Sequence, residues 1–276
     1  MEKKLNSYFL SVFAILVLSF TLLPLFLCLG KVEQSRRIRE AAGAEMRAVA
    51  EQDDPQLAQT EDLGDAYVRK LLFLGESTTY GLLQYGVLPD GKNSCQVWTG
   101  ASCVNGSVRC AGTLSLSPSI VATPLYYPED ATALTVTEAL KRKTPEYLVI
   151  TLGLNNGASY YSEDEFKQCY RTLLNAILDA SPSVKVILQS LFPVARTCKI
   201  AAYTPERIAQ CNAWILDLAK EYGVKYLDTA SVLADADGYL FPQYDNGGDG
   251  IHLNGEGLLA VVQYIRTHAH PSEVTA

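Results

Sequence analysis

Residues 71–81 read LLFLGESTTYG and predict a buried strand that turns sharply into a helix. The apolar run 71–74 suits a parallel strand that is covered on both faces. Gly75 ends the run, and Ser77 follows where the helix would begin. A serine at such a turn can direct its hydroxyl into the crevice at the carboxyl ends of the strands, but it can also simply cap the helix. The Gly-x-Ser-x-Gly elbow of α/β-hydrolases is not matched, because Thr79 stands where the second glycine would be.

Strand and helix signals alternate along the rest of the chain. Further apolar runs predict strands over residues 147–152, 184–188 and 224–227, and around 97–98. Helical patterns lie between them and begin near Ser162, Thr204 and Gly255. This alternation is typical of the α/β class. We expect a three-layer α/β/α sandwich with a central parallel sheet.

Two more polar clusters are expected near the same edge of that sheet. The run GLNNG at residues 153–157 follows a predicted strand, so the Asn155 amide could donate a hydrogen bond to a developing oxyanion, although such a run is also an ordinary turn. Asp249 and His252 stand three positions apart near the C-terminus. This spacing can place the carboxylate beside the imidazole, where it would orient the ring as a base.

Together these clusters resemble the SGNH/GDSL hydrolase family. Residues 75–78, GEST, resemble its first block, with Glu in place of the usual Asp, and 153–155, GLN, resemble its third. Residues 249–252, DGIH, resemble its terminal Asp-x-x-His. The resemblance covers residues from about 70 to 270 and implies a flavodoxin-like sandwich of the SGNH type that hydrolyses esters.

The resemblance also implies roles for individual residues. Ser77 would be the nucleophile, His252 its base and Asp249 the residue that orients the base. The oxyanion would be received by the N–H groups of Ser77 and Gly112 and by the Asn155 side chain. Gly100 is the rival candidate for the oxyanion glycine. A cysteine-bearing hairpin lies between Gly100 and Gly112. This chemistry requires neither a metal nor an organic cofactor.

The N-terminus predicts a membrane anchor, and a cleaved signal peptide is the alternative interpretation. Residues 8–30 carry no charge and are long enough to span a bilayer core of roughly 30 Å as a helix. We therefore divide the chain into a transmembrane anchor over 1–30, a helical or flexible stalk over 31–66 and the hydrolase domain over 67–270. The Lys and Arg residues that flank the span favour a cytoplasmic domain by simple count, whereas the cysteines favour an extracellular one.

Six of the seven cysteines lie beyond residue 30, an even number that suits disulfides in an oxidising compartment. A turn centred on Gly106-Ser107 would place Cys103 opposite Cys110, and Cys198 with Cys211 is a plausible second pair. Cys169 and Cys211 also fall on apolar faces of predicted helices, where a free buried thiol is common. We expect a single-pass protein of the cell membrane with its catalytic domain outside.

Charge and location narrow the class of substrate. The formal net charge of −7 argues against binding to a phosphate backbone, so nucleic acid is excluded as a partner. The expected substrate is a small-molecule or carbohydrate ester, with O-acetyl groups of cell-envelope or extracellular carbohydrate favoured. A lysophospholipase or thioesterase of the same family is one alternative, and a non-catalytic binding module with the same sandwich is another.

Overall fold

A computed structural model of the chain describes residues 54–274. Within these residues a five-stranded parallel sheet has the order β2-β1-β7-β8-β9. Its strands are β1 (Leu71–Gly75), β2 (Val97–Trp98), β7 (Tyr147–Thr151), β8 (Lys185–Gln189) and β9 (Lys225–Leu227). The predicted parallel sheet is confirmed, and the predicted strands agree with the observed ones to within one residue at each end.

The helices are α1 (Gly64–Val68), α2 (Ser77–Gln84), α3 (Val136–Arg142), α4 (Glu163–Ala180), α5 (Pro205–Tyr222), α6 (Ala230–Leu233), α7 (Gly255–Arg266) and α8 (Pro271–Val274). The long helices begin at the predicted residues. Ser162 and Glu165 form a reciprocal capping box before α4, and the Thr204 hydroxyl accepts the Arg207 N–H at the start of α5. The Asn254 side chain caps α7 in the same way.

Each face of the sheet has its own apolar core. Leu72 and Leu74 of β1 point to one face and pack with buried residues of α3, α4 and α5. Leu71 and Phe73 point to the other face and pack with residues of α1, α2 and α7. Alternate side chains of one strand are therefore buried on opposite sides, which explains why β1 reads as a continuous apolar run.

Two small hairpins and one short helical turn occupy the segment between β2 and α3, for which the sequence predicted little. The hairpins are β3 (Ala101–Val104) with β4 (Ser107–Cys110), and β5 (Leu125–Tyr127) with β6 (Thr132–Leu134). Single 3₁₀ turns span Gly91–Asn93 and Ile120–Ala122, and a third, Pro242–Tyr244, lies before α7.

The two predicted disulfides are not found. All six cysteines of residues 54–274 are free thiols. Asn105 and Gly106 both have positive φ and form the hairpin turn, so Cys103 pairs with Val108 and Cys110 with Ala101. An Asn-Gly pair suits the type I′ turn, which needs positive φ at both positions, and it competes successfully with the type II′ turn at Gly106-Ser107. The register shift leaves Cys103 and Cys110 diagonal, at a spacing typical of about 7–8 Å and too wide for a disulfide.

Cys198 and Cys211 are likewise unpaired with each other. Cys211 is buried on the inner face of α5, within the apolar core, while Cys198 is partly exposed in the loop before that helix. The alternative interpretation, a buried free thiol on a helix face, describes both Cys211 and Cys169.

The predicted stalk differs from the structure over residues 54–66. Leu57 is buried, and its N–H donates to the Tyr226 carbonyl at 2.8 Å beside β9. Asp62 pairs with Arg266 at the end of α7. This segment therefore packs on the domain, which begins before residue 67. The predicted anchor, residues 1–30, lies outside the described residues; no helix within residues 54–274 is both long and apolar enough to cross a bilayer.

Candidate active site

Ser77 is the first residue of α2 and is separated from the carboxyl end of β1 by a single residue, Glu76. The N-cap of α2 is Glu76, whose side chain does not cap the helix, so Ser77 does not occupy the capping position. The Ser77 hydroxyl instead lies 2.8 Å from His252 Nε2, across 175 positions of the chain. The turn after β1 thus presents this hydroxyl to a second loop.

His252 and Asp249 are joined by a short contact on the far side of the imidazole. His252 Nδ1 lies 2.6 Å from Asp249 Oδ2. Because Nδ1 faces a carboxylate, the proton of a neutral imidazole is placed on Nδ1 and Nε2 is left free to accept from Ser77. The structure therefore brings together all three residues that the sequence analysis selected as a triad.

The Asp249 carboxylate is held by its own loop. Its Oδ1 atom accepts the N–H groups of Ile251 at 2.8 Å and of His252 at 3.1 Å. Partial burial alone would raise the pKa of Asp249, but these two backbone bonds and the bond to the His252 ring outweigh it and lower the pKa below the ordinary value. Asp249 consequently stays ionised beside the imidazole at neutral pH.

Gly250 makes this loop possible. It has a φ of +73°, and a Cβ at this position would lie 2.5 Å from the Cys198 backbone nitrogen. The Gly250 carbonyl accepts the Ala195 N–H at 2.8 Å. A side chain here would push the loop that carries Asp249 and His252 away from the segment after β8. Gly250 was not among the predicted site residues, although its place inside the Asp-x-x-His spacing is a signal that could have identified it.

The structure separates the two glycines proposed for the oxyanion hole. A Cβ on Gly112 would lie 3.4 Å from Ser77 Cα, so the Gly112 backbone runs beside the nucleophile. A Cβ on Gly100 would instead meet the Leu114 backbone nitrogen at 2.6 Å. Gly112 is therefore the glycine whose backbone lies beside Ser77, whereas Gly100 packs against the Leu114 backbone.

Asn155 lies on the turn Leu154–Ala158 that follows β7, with a non-helical backbone (φ −68°, ψ 126°). Its side-chain Nδ2 donates weakly to the Leu114 carbonyl at 3.4 Å, which uses at most one of the two N–H groups of the amide. The segment after Gly112 thus contacts the Asn155 loop.

Glu76 joins the Ser77 turn to the Asn155 loop, and sequence reasoning missed this role. The side chain is 1% exposed, and its carboxylate accepts the N–H groups of Leu154 at 2.8 Å and of Asn155 at 2.7 Å. Burial raises the pKa of Glu76 to about 8, against the opposing effect of the backbone hydrogen bonds from residues 153–155. The replacement of the usual Asp by Glu was the available signal.

A cleft of about 180 Å³ opens beside the nucleophile. Ser77 and His252 form part of its wall, and Tyr80, Tyr85 and Asn246 line it together with other residues of α2 and of the loop before α7. Tyr85 is 42% exposed. The cleft therefore combines aromatic surface with amide and hydroxyl groups next to the Ser77–His252 pair.

The sheet with its flanking helices and the Ser-His-Asp group at its carboxyl edge define the class of protein as a hydrolase that acts on carboxylic esters. The GDSL-like lipase/acylhydrolase family matches residues 73–258. The chain belongs to this family, as the motifs around Ser77, Asn155 and His252 predicted.

The chain is also similar in structure to several solved proteins. A proposed platelet activating factor from Streptococcus pneumoniae is 16% identical, with a TM-score of 0.51 over 82% of this chain and 90% of that one. A GDSL-like lipase from Bacteroides thetaiotaomicron VPI-5482 is 18% identical, with a TM-score of 0.44 over 81% and 93% of the two chains. A carbohydrate esterase of family 3 from Talaromyces cellulolyticus is 17% identical, with a TM-score of 0.45 over 74% and 96%. At these identities the likeness concerns the fold alone. No curated protein matches the chain.

Proposed function

We propose that this chain is a serine esterase that removes short acyl groups, above all O-acetyl groups from carbohydrate, through an acyl-enzyme on Ser77. The observation that carries the proposal is the continuous contact from Asp249 Oδ2 through the His252 ring to Ser77 Oγ, with distances of 2.6 and 2.8 Å. This order of groups is the one that activates a serine hydroxyl for attack on a carbonyl.

In the first half of the reaction, His252 Nε2 takes the proton of Ser77 as Oγ attacks the ester carbonyl carbon. The resulting oxyanion is received by the backbone N–H groups of Ser77 and Gly112 and by the Asn155 amide. His252 then returns the proton to the leaving alkoxide, the alcohol departs and the acyl group stays on Ser77. Asp249 stabilises the imidazolium that exists between these two transfers.

In the second half, a water molecule gives a proton to His252 Nε2 and attacks the acyl carbon. The bond between Ser77 Oγ and the acyl group breaks, and His252 gives its proton back to the Ser77 oxygen. The products are a carboxylic acid and the free serine. Each oxyanion donor typically lowers the barrier by about 3–4 kcal/mol.

The size and lining of the cleft support a short acyl group and a polar alcohol. Its volume of about 180 Å³ is small beside the roughly 300–1,000 Å³ of sites for drug-sized ligands. Tyr85, Gln84 and Asn246 offer aromatic faces and amide groups to an incoming ligand. A sugar presents hydroxyls and an apolar ring face, which such side chains can contact.

The test compares p-nitrophenyl acetate with p-nitrophenyl octanoate for wild type and for Ser77→Ala. We expect the acetate to be hydrolysed with a kcat/KM at least about tenfold above that of the octanoate, since a longer chain needs an apolar channel. Ser77→Ala should abolish both activities and keep the folded circular-dichroism spectrum. A preference for octanoate would favour a lysophospholipase or long-chain thioesterase, and no turnover of either ester by wild type would favour a binding module.

We also propose where in the cell this protein is located. Residues 8–30 would anchor the chain in the cell membrane, and the catalytic domain would face the outside, where envelope and extracellular carbohydrate lie. The uncharged run supports the anchor. A membrane-impermeant fluorophosphonate applied to intact cells should label the protein to the same extent as in broken cells; labelling that requires lysis would place the domain inside.

A further inference from the structure

Glu76 is a buried carboxyl group that the acyl-transfer steps above do not use. It is 1% exposed and sits between Gly75, the last residue of β1, and Ser77, the first residue of α2. A carboxyl group removed from water is costly to keep unless hydrogen bonds or a charge compensate for it. The presence of this buried carboxyl group beside the nucleophile therefore needs a structural explanation.

The partners of Glu76 supply that reason. Oε1 accepts the Leu154 N–H at 2.8 Å, and Oε2 accepts the Asn155 N–H at 2.7 Å. Both donors belong to the turn that follows β7, the strand that pairs with β1 through Gly75 and Thr151. One side chain thus links the backbone of the nucleophile to the backbone of the proposed oxyanion amide.

The same loop is held from its other side through its carbonyl groups. The Tyr203 hydroxyl donates to the Leu154 carbonyl at 2.8 Å, and Arg207 donates to the carbonyls of Gly157 and Ala158. These bonds fix where the loop sits on α5. The two bonds to Glu76 are the ones that relate the loop to Ser77.

We propose that Glu76 is a positioning residue of this active site, whose carboxylate holds the Asn155 backbone at a set distance from Ser77 so that the Asn155 amide meets the oxyanion. The proposal rests on the esterase function proposed above. It assigns to Glu76 no contact with the substrate. Its effect on the reaction passes through Asn155.

The chemistry of the side chain explains why Glu suits this position and why Gln and Asp do not. Two N–H donors need two acceptor oxygens, which a carboxylate offers and an amide does not. In Glu76→Gln the amide NH₂ group would face one of the two backbone N–H groups. Glu76→Asp keeps both oxygens but is one methylene shorter, so the loop would have to move toward β1 to keep both bonds.

The experiment is a double-mutant cycle on hydrolysis of p-nitrophenyl acetate at about pH 9, with Glu76→Gln, Asn155→Ala and the double variant. At this pH Glu76 is ionised, because burial raises its pKa only to about 8. Asn155→Ala should lower kcat by about 10²–10³-fold, as loss of one oxyanion donor does. Glu76→Gln should lower kcat by about tenfold to 100-fold with KM changed by less than about twofold, because misplacement of a catalytic group acts on the transition state. The double variant should fall no more than about threefold below Asn155→Ala alone, because the two residues act as one unit.

Gln96→Leu is the matched control. Gln96 is also a buried side chain with two backbone hydrogen bonds, to the carbonyls of Val68 and Leu71, but these lie at the opposite end of β1. This variant should lower the Tm and leave kcat within about twofold of wild type. A loss of kcat that merely followed the loss of Tm in both variants would show that Glu76 acts through stability alone.

Other outcomes would contradict the positioning role of Glu76 and would leave the esterase assignment unaffected. Wild-type kcat in Glu76→Gln, or losses that multiply fully in the double variant, would show that Glu76 does not act through Asn155. If Glu76→Gln does not fold, Glu76→Asp takes its place in the same cycle, with the same reduced kcat and unchanged KM expected, and wild-type kcat in that variant would contradict the proposal. Hydrolysis that persists in Ser77→Ala would instead contradict the proposed function.

Discussion

Ser77 Oγ and His252 Nε2 lie 2.8 Å apart although 175 positions of sequence separate them. The contact arises because β1 delivers Ser77 to the carboxyl edge of the sheet, while the loop before α7 folds back over the same edge. The backbone of that loop is fixed by the Asp249 carboxylate and by the Gly250 carbonyl. β1 and α7 therefore position the pair, and the loop before α7 sets the orientation of the His252 imidazole ring.

Asp249→Asn tests how the imidazole is held. The amide can offer an N–H to His252 Nδ1 and so favour the wrong tautomer, with the proton on Nε2. We expect kcat for p-nitrophenyl acetate to fall by about 10²–10⁴-fold with little change in KM. Asp237→Asn is the control, since Asp237 is an exposed partner of Arg196, and it should leave kcat unchanged. Equal activities in the two variants would remove Asp249 from the mechanism.

Gly112→Ala should chiefly lower kcat, whereas Gly100→Ala should chiefly lower the stability of the fold. The Gly112 φ of +64° disfavours any side chain, and the new methyl would meet the Tyr80 side chain at 3.3 Å and Ser77 Cα at 3.4 Å. We expect a kcat loss of about tenfold or more, from displacement of an oxyanion N–H. Gly100→Ala meets the Leu114 backbone and should chiefly lower the Tm. Measured kcat and Tm for both variants check this division; the reverse pattern would make Gly100 the oxyanion glycine.

Stability should fall as the pH rises through neutrality. The pKa of Glu76 is raised by burial to about 8, from about 4.3 in an unfolded chain. The folded state therefore binds this proton more tightly, so the contribution is complete below the unfolded pKa and is lost as the pH rises through the folded one. His270, whose pKa is lowered to about 4 chiefly by burial, has the opposite effect and acts below its ordinary pKa.

Urea unfolding at about pH 7.5 and about pH 8.5 separates these two groups, because a full unit above its ordinary pKa of about 6.5 His270 is almost entirely deprotonated in both the folded and the unfolded state. Wild type should lose free energy of unfolding over this interval. Glu76→Gln should be less stable overall but should change less with pH. Parallel pH dependences in the two proteins would mean that Glu76 does not titrate in this range.

Reducing agent should not change the stability of the domain. All six described cysteines are free, and Cys103 is exposed whereas Cys169 and Cys211 are buried. We expect a Tm shift below about 1 °C on addition of dithiothreitol, whereas loss of a native disulfide typically costs about 2–5 kcal/mol. Ellman's reagent should react with Cys103 in the native protein and with Cys169 and Cys211 after unfolding. A large fall in Tm under reducing conditions would contradict the free-thiol state.

The central sheet could be predicted because its strands are short apolar runs that end in glycine or polar residues, as at Leu71–Gly75. The meeting of Ser77 with His252 could be predicted because Ser77 follows a strand of the parallel sheet and the Asp-x-x-His motif stands just before a helix. Gly112 could not be separated from Gly100, because that choice depends on how the hairpin between them folds. The Glu at position 76, where the family usually has Asp, marks the position, but no local pattern shows that its carboxyl group faces the N–H groups of residues 154 and 155.

Two predictions were wrong for local reasons. The hairpin prediction relied on Gly106 at the first central position of a type II′ turn, whereas Asn105 tolerates a positive φ and moves the turn back by one residue. The stalk was predicted up to residue 66 from its polar composition, yet Leu57 buries its side chain and the surrounding polar residues stay on the surface. A single buried leucine in a charged segment is too weak a signal to mark a domain boundary.

The most direct measurement is the site at which a fluorophosphonate probe reacts, read by mass spectrometry of the digested protein. We predict one covalent adduct, on the peptide that contains Ser77, with no adduct in Ser77→Ala and a strongly slowed reaction in His252→Ala. His268→Ala, in which the lost ring stacks on Tyr264, should react like wild type. An adduct that forms equally well in Ser77→Ala, or at the wild-type rate in His252→Ala, would contradict the account.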